Sequence, residues 1–320
     1  MGDVACPLVP RTLHPRVLGL FVGQDVGAHG IFTQMSEMND CSNPYDKFAL
    51  HKAALIACGI IRAGDDRELE QVLRELGGGI YLSTQVKGVP KGSGLGTSSI
   101  LSVACAKALY EFLGEPADDN VLYDVVLCME QLMSTGGGWQ DQVGGLVPGI
   151  KMITTKPGLR QQIHLEQVNV APETVKELQE RFALIYTGQR RLARNLLRDV
   201  VGGYIGNRPE SLDALQQMKR VAALMKFELE QGDVDAFAAL LNRHWELSVQ
   251  LDAGSTNTCI EQIFLSIEDL IDGRFIAGAG GGGFLQVILK KGITRDMLRE
   301  RLDSIFQDSG VDVWECELVF

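Results

Sequence analysis

Pro90-Lys91-Gly92-Ser93-Gly94-Leu95-Gly96-Thr97-Ser98-Ser99 is the stretch on which the reading of this chain turns. Before it, Ile80 to Val86 is rich in branched and aromatic side chains and is bounded by Gly88, which predicts a strand. After it, Ile100 to Leu113 is rich in Ala and Leu and stops at Gly114, which predicts a helix. A loop between a strand and a helix can aim successive main-chain N–H groups, and the positive end of the helix dipole, at a phosphate. Gly92, Gly94 and Gly96 let the backbone approach closely. Thr97, Ser98 and Ser99 put hydroxyls on the first helical turn, where they can cap, donate to phosphate or ligate magnesium. No Gly-Lys-Ser/Thr occurs anywhere, so this is not a Walker A loop. The third glycine falls one residue early for a dinucleotide fingerprint. Read alone, the stretch fits a phosphate cradle and a plain Ser/Thr-capped turn equally.

A second glycine loop lies near the other end. Gly278-Ala279-Gly280-Gly281-Gly282-Gly283 matches GxGxxG literally, but consecutive glycines satisfy many patterns. A strand, Phe284 to Leu289, follows it, the wrong context for a dinucleotide fold. A flexible linker is the plain alternative. Phe275-Ile276 and Phe284-Leu285 argue against it, because linkers have polar flanks. Glycines between core-like flanks predict close backbone packing, here against the first loop.

Between the loops stand two acids. Glu130 lies near the C-terminal end of a helix predicted over Asp119 to Met133, where the dipole disfavours an anion unless a cation compensates. Asp141 follows Thr135-Gly136-Gly137-Gly138-Trp139-Gln140, in a stretch with little other charge. There it can take a proton from a sugar hydroxyl or hold it in line for attack. An exposed helix-end Glu and an Asx-turn Asp are the bland readings. With a phosphate-type loop upstream, the pair reads as a site. Arg190, Arg191, Arg194 and Arg198 read as a solvated helix face, and Trp245 and Glu246 as packing and surface.

Composition narrows the classes. The chain has 320 residues, 45% hydrophobic and 22% charged, which excludes a disordered tail, a collagen and a disulfide-stapled miniprotein. Thirty Lys and Arg against 41 Asp and Glu give a net charge of −11, with no basic patch, so neither nucleic acid nor anionic membrane is an expected partner. The longest apolar run, Ala53 to Ile61, is far short of the ~20 residues needed to cross a bilayer. Met1 to Cys6 has no basic segment of a secretory signal. The seven cysteines are scattered and never form CxxC; Cys58, Cys105, Cys128 and Cys259 have apolar neighbours and read as reduced core thiols of a cytoplasmic protein. The five histidines are scattered too, which argues against zinc. No Gly-x-Ser-x-Gly occurs, which disfavours a serine hydrolase.

Further strands are predicted over Val17–Val22, Gly30–Phe32, Leu146–Val147, Lys151–Thr154, Phe182–Tyr186 and Val311–Phe320. Helices are predicted over Tyr45–Ile61, Arg67–Leu76, most of Arg191–Leu251, and Thr294–Phe306. Strands and helices without strict alternation give an α+β class, with lobes over residues 1–165 and 166–320.

The first loop resembles the phosphate loop of the GHMP kinases, the superfamily of galactokinase, homoserine kinase, mevalonate kinase and phosphomevalonate kinase. The second is similar to that superfamily's C-terminal glycine motif. Thr135 to Gln142 with Gly144-Gly145 resembles the L-fucokinase branch, as do Ile185-Tyr186-Thr187-Gly188 and Leu192-Ala193-Arg194-Asn195. The resemblance implies a GHMP fold, with a ribosomal-protein-S5-like (domain 2) N-terminal lobe, a ferredoxin-like C-terminal lobe and ATP between them. It implies that Pro90 to Ser99 bind ATP together with Gly278, Ala279, Gly280 and Gly281. Ser98 and Glu130 then hold Mg2+, Asp141 is the catalytic acid/base, and Trp139, Gln140, Asp141 and Gly280 line the sugar.

The implied reaction is transfer of the ATP γ-phosphoryl group to the anomeric hydroxyl of L-fucose, a small-molecule substrate; no oligomeric state is implied. The D-glycero-D-manno-heptose 7-phosphate kinases are the neighbouring branch, and their equivalent stretch usually lacks Gly-Gly-Trp. The family's opening Gly-Gly-Trp-Ser-Asp motif has no match in Met1 to Tyr45. The expectation is therefore a chain without the family's first strands or a pyrophosphorylase domain, leaving an exposed sheet edge. A truncated, non-catalytic nucleotide binder is the alternative that follows.

Overall fold

A computed structural model describes residues 20–24, 29–43, 45–62, 64–90, 92–158, 161–189 and 194–318. Val17–Gly19, Cys6, Lys91, Arg190 and Arg191, and the side chains of Arg194 and Arg198, lie outside the described residues. The chain forms two compact units, residues 1–89 with 96–147, and residues 90–95 with 148–320. Residues 148–165, expected with the first lobe, fall in the second unit.

In the first unit, β1 (Leu20–Gln24) pairs antiparallel with β2 (His29–Phe32). It pairs parallel with β3 (Ile80–Thr84), giving the order β2-β1-β3. The helices are α1 (Ala49–Ala57), α2 (Leu69–Glu75), α3 (Thr97–Leu113), α4 (Asp119–Leu132) and α5 (Gln140–Leu146). Their apolar faces close one core, with Leu55, Leu69, Leu73, Ala106, Leu122, Val126 and Met129 each almost fully buried. α1 is shorter than expected. Asn43 and Asp46 fold the preceding residues into turns by accepting from the N–H groups of Tyr45 (3.0 Å) and Phe48 (2.8 Å), and Gly59, left-handed at φ +75°, stops the other end. Leu146, expected in a strand, is the last residue of α5.

His51 is fully buried on α1, its Nε2 2.9 Å from Thr84 Oγ1 and its Nδ1 without a partner. Burial holds it down to about 4, against a smaller opposing pull from Asp46. A histidine that resists protonation in the fold stabilises above its unfolded value near 6.5, and that stability drains as pH falls toward 4. The expected loss over that window is on the order of 3 kcal/mol. Urea titrations at pH 7 and pH 4.5 should show it, and His51→Gln should flatten that part of the pH dependence.

The second unit holds a hairpin, β4 (Lys151–Lys156) and β5 (Gln162–Gln167), then α6 (Pro172–Arg181) and β6 (Phe182–Thr187). Helices α7 (Arg194–Ile205), α8 (Pro209–Gln231), α9 (Val234–Leu251) and α10 (Thr258–Ser266) follow. The chain ends through β7 (Ile271–Ile276), β8 (Phe284–Leu289), α11 (Arg295–Phe306) and β9 (Val311–Trp314). The sheet is antiparallel throughout, in the order β7-β8-β6-β9. With helices between β6 and β7 and α11 between β8 and β9, this is the split βαββαβ topology of the ferredoxin-like fold. Ile185, Phe264, Leu285, Val287 and Leu298 are fully buried in its core. The last strand ends at Trp314 and not at Phe320.

No helix among the described residues is long and apolar enough to cross a membrane. None of the six described cysteines is in a disulfide. Cys58 and Cys105 are core thiols as expected, and burial pushes Cys58 up to about 12, with the nearby Cys128 adding to it. Cys128 is exposed on the outer side of α4 despite apolar neighbours in sequence, and Cys259 is half-buried at the edge of the second unit's core.

Candidate functional site

The two glycine loops meet within the second unit. Gly94 has φ +78°, and a Cβ there would overlap the carbonyl oxygen of Ala277. A Cβ on Gly278 would stand 2.9 Å from the Gly94 Cα. A Cβ on Gly283 would overlap the carbonyl oxygen of Ser93, which also accepts the N–H of Phe284 at 3.0 Å. Backbone lies on backbone at three points, which only glycine permits. Ser93 itself is 1% exposed, and its Oγ accepts the Leu95 N–H at 3.3 Å.

The far half of the second loop is tied down. Gly281 N–H donates to Ser255 O (2.7 Å), and Asn257 Nδ2 donates to Gly281 O (3.1 Å) and Gln189 Oε1 (3.2 Å). Gly283 N–H donates to Gln189 O at 3.0 Å, and Thr187 donates to Gly283 O from both its N–H and its Oγ1, each at 2.9 Å. The N–H groups of Gly278, Ala279 and Gly280 have no hydrogen-bond partner among the described residues. Three unspent donors on an anchored turn are the kind of arrangement that can cradle an anion. Gly280 is buried and packs on the Ser255 backbone.

In the first unit, Gly96 (φ +66°) precedes α3, whose first intrahelical bond runs from Ile100 N–H to Gly96 O at 3.0 Å. The N–H groups of Gly96, Thr97, Ser98 and Ser99 are thus the unpaired donors at the positive end of a 17-residue helix. Asp141 stands beside them. It lies in the first turn of α5, and a Cβ on Gly96 would be 3.1 Å from its Cγ. The residue keeps one side open to solvent, yet its carboxyl is crowded by protein. Lost hydration, and then the Glu130 charge, raise it above the ordinary Asp value of 3.8. The bland reading of Asp141 is an Asx-turn; it stands instead on α5, which gives it a rigid mount.

Glu130 is 4% exposed in the last turn of α4. Its Oε1 accepts from Ser99 Oγ at 3.0 Å and its Oε2 from Thr135 Oγ1. The expected Ser98–Glu130 pair is therefore not a direct contact. The roughly 100° helical step turns Ser98 outward to solvent and Ser99 inward. Trp139 is the half-buried N-cap residue of α5, and Gln140 is exposed beside it. Gln142, next to Asp141, is fully buried with both amide atoms unpartnered. Among the described residues no three His, Cys, Asp or Glu cluster to hold a metal unaided. Mg2+ needs only one or two protein oxygens when phosphates and water supply the rest, and Ser98 and Glu130 are oxygen donors that fit it. The mutual repulsion of Glu130 and Asp141 is a further reason for a cation there.

A charged groove in the second unit, about 800 Å³, is lined by Arg181, Glu177, Lys291 and Arg295 among others. Its cations are already spent. Arg181 binds Glu177, Asp235 and Asp272 at 2.6–2.8 Å, Lys291 binds Asp235 at 2.9 Å, and Arg295 donates to Phe182 O. It is a structural ion network with no tie to the glycine loops.

Sequence reasoning missed Thr135, Gln189 and Asn257. Asn257 carried a usable signal, a helix cap three residues before Ile260, whose N–H it accepts at 3.1 Å.

Residues 66–149 match the GHMP kinases N terminal domain. The chain is 34% identical over 259 residues to the bifunctional fucokinase/GDP-fucose pyrophosphorylase of Arabidopsis thaliana, covering 81% of this chain and 24% of that one. It is 35% identical over 269 residues to the L-fucokinase/L-fucose-1-P guanylyltransferase of Bacteroides fragilis, covering 83% and 28%. The chain thus spans about a quarter of the length of these curated relatives. Its backbone superposes on Streptococcus pneumoniae phosphomevalonate kinase, solved with phosphomevalonate and AMPPNP, with a TM-score of 0.67 at 14% identity, over 95% of this chain and 88% of that one. A matched domain and about a third of the aligned positions in common with two fucokinase regions make this chain a member of the GHMP kinase superfamily, and the shared backbone path gives it that superfamily's fold.

Proposed function

We propose that the chain is a cytoplasmic sugar kinase that transfers the ATP γ-phosphoryl group to the anomeric hydroxyl of L-fucose, giving L-fucose 1-phosphate and ADP. The observation that carries this reading is the backbone-on-backbone packing of the two glycine loops, which leaves the Gly278–Gly280 donors free. The fucokinase regions among its relatives support the choice of sugar, and six described cysteines outside any disulfide suit a reducing compartment.

Phosphates rest on the main-chain donors of the first turn of α3, and the unpaired Gly278–Gly280 donors offer a second anion cradle. Ser98 and Glu130 would hold Mg2+, which would supply charge neutralisation for the transferring phosphoryl group. Asp141 accepts the proton of the sugar O1 as the new O1–P bond forms and the bond from the γ-phosphorus to the β–γ bridging oxygen breaks. Its carboxyl, raised above 3.8, is a better base than an ordinary Asp. Trp139 and Gln140, beside Asp141 on α5, contact the sugar. Such chemistry needs positioning and charge neutralisation more than covalent steps.

The test is to incubate the purified chain with ATP, magnesium and L-fucose, and in parallel with D-glycero-D-manno-heptose 7-phosphate, and follow ADP and sugar phosphate. Fucose 1-phosphate with equimolar ADP is the expected result. Turnover with the heptose alone would move the substrate to that branch, and nucleotide binding without product would make the chain a non-catalytic relative.

A further inference from the structure

The Thr135-Gly136-Gly137 turn does more than link α4 to α5. Thr135 Oγ1 lies in hydrogen-bond contact with Glu130 Oε2 and 3.1 Å from the Glu130 carbonyl oxygen, and it accepts the Gly137 N–H at 3.3 Å. The turn curls back because Gly136 is left-handed at φ +70°. A Cβ on Gly137 would stand 3.0 Å from Glu130 Oε2 and 3.3 Å from its Cδ, so the chain passes against the carboxylate itself. Ser99 holds the opposite oxygen at 3.0 Å. Each carboxylate oxygen thus has one hydroxyl partner and one lone pair left, and the group is 4% exposed.

We propose that Thr135 is a positioning residue that, with Ser99 opposite and Gly137 packed alongside, orients the Glu130 carboxylate for a divalent cation. This rests on the reading of Glu130 as a metal ligand. Magnesium tolerates little departure from octahedral geometry, so a ligand that can swing is a poor one. Partners that orient a ligating carboxylate typically govern metal affinity by 10–100-fold. The rival role for Thr135 is a plain helix cap, through its contact with the Glu130 carbonyl, and that role has no bearing on a metal.

Three variants separate the two roles. Thr135→Val removes the hydroxyl at equal volume, and Thr135→Ser restores it. Gly137→Ala leaves the cap intact but pushes on Oε2; its φ is not left-handed, so alanine fits the backbone. Mn2+ binding to the full chain with AMPPNP, followed by electron paramagnetic resonance, is the readout, beside AMPPNP affinity in EDTA and thermal unfolding. Thr135→Val and Gly137→Ala should each weaken Mn2+ binding by about 10-fold or more. Thr135→Ser should stay near wild type, and AMPPNP affinity in EDTA should not move. Wild-type Mn2+ binding in both Thr135→Val and Gly137→Ala, with only the unfolding temperature of Thr135→Val lowered, would overturn the proposal and leave Thr135 a cap. Should Thr135→Val not fold, Gly137→Ala decides alone. A wild-type chain that binds AMPPNP but no Mn2+ would remove the metal assignment of Glu130, and this inference with it.

Discussion

Asp141→Asn should lower kcat on L-fucose by roughly 10²–10⁴-fold while AMPPNP affinity stays within about twofold. The amide keeps the shape and much of the contact with Gly96 but cannot accept a proton. Wild-type activity should also fall on the acid side along a limb lying above 3.8, because the carboxyl must be ionised to act and its surroundings raise it. A pH–rate profile of kcat/KM, which reports the carboxyl of the unliganded protein, checks this. Unchanged turnover in Asp141→Asn would show that the base lies elsewhere.

The second large effect is structural. Gly94→Ala and Gly283→Ala should each cost roughly 2–5 kcal/mol and abolish nucleotide binding. A left-handed φ costs about 1–2 kcal/mol for any L side chain. Forcing a methyl into closed packing costs about 1–3 kcal/mol more. Gly94 and Gly283 meet carbonyl oxygens of the opposite loop, and backbone cannot swing aside as a side chain can. Gly292, in the same unit at φ +85° with nothing within 4 Å, is the control, and Gly292→Ala should cost only about 1 kcal/mol. Urea denaturation of the three variants reads the difference.

Much of this was legible in the residues. Apolar flanks around Gly278–Gly283 predicted that the loop is packed and not a linker, and the backbone contacts with Ser93 and Gly94 agree. The strand before the first loop and the helix after it are present as β3 and α3. Other features depend on tertiary partners. Glu130 read as a helix-end acid awaiting a cation, but its closest partners are Ser99, thirty-one positions earlier, and Thr135. Ser98 and Ser99 are alike in sequence, and only the phase of α3 decides which turns inward. α5 was missed because Gly144 and Gly145 dilute its pattern; Gly145 sits where a Cβ would overlap Ile100 of α3, so packing imposes the glycine against helix propensity.

A crystal structure of the chain grown with AMPPNP and magnesium addresses the main assertion most directly. The triphosphate should lie on the N–H groups of Gly96 to Ser99, with the γ-phosphate toward Asp141. A nucleotide seated away from both glycine loops, or bound with its phosphates in solvent, would contradict it.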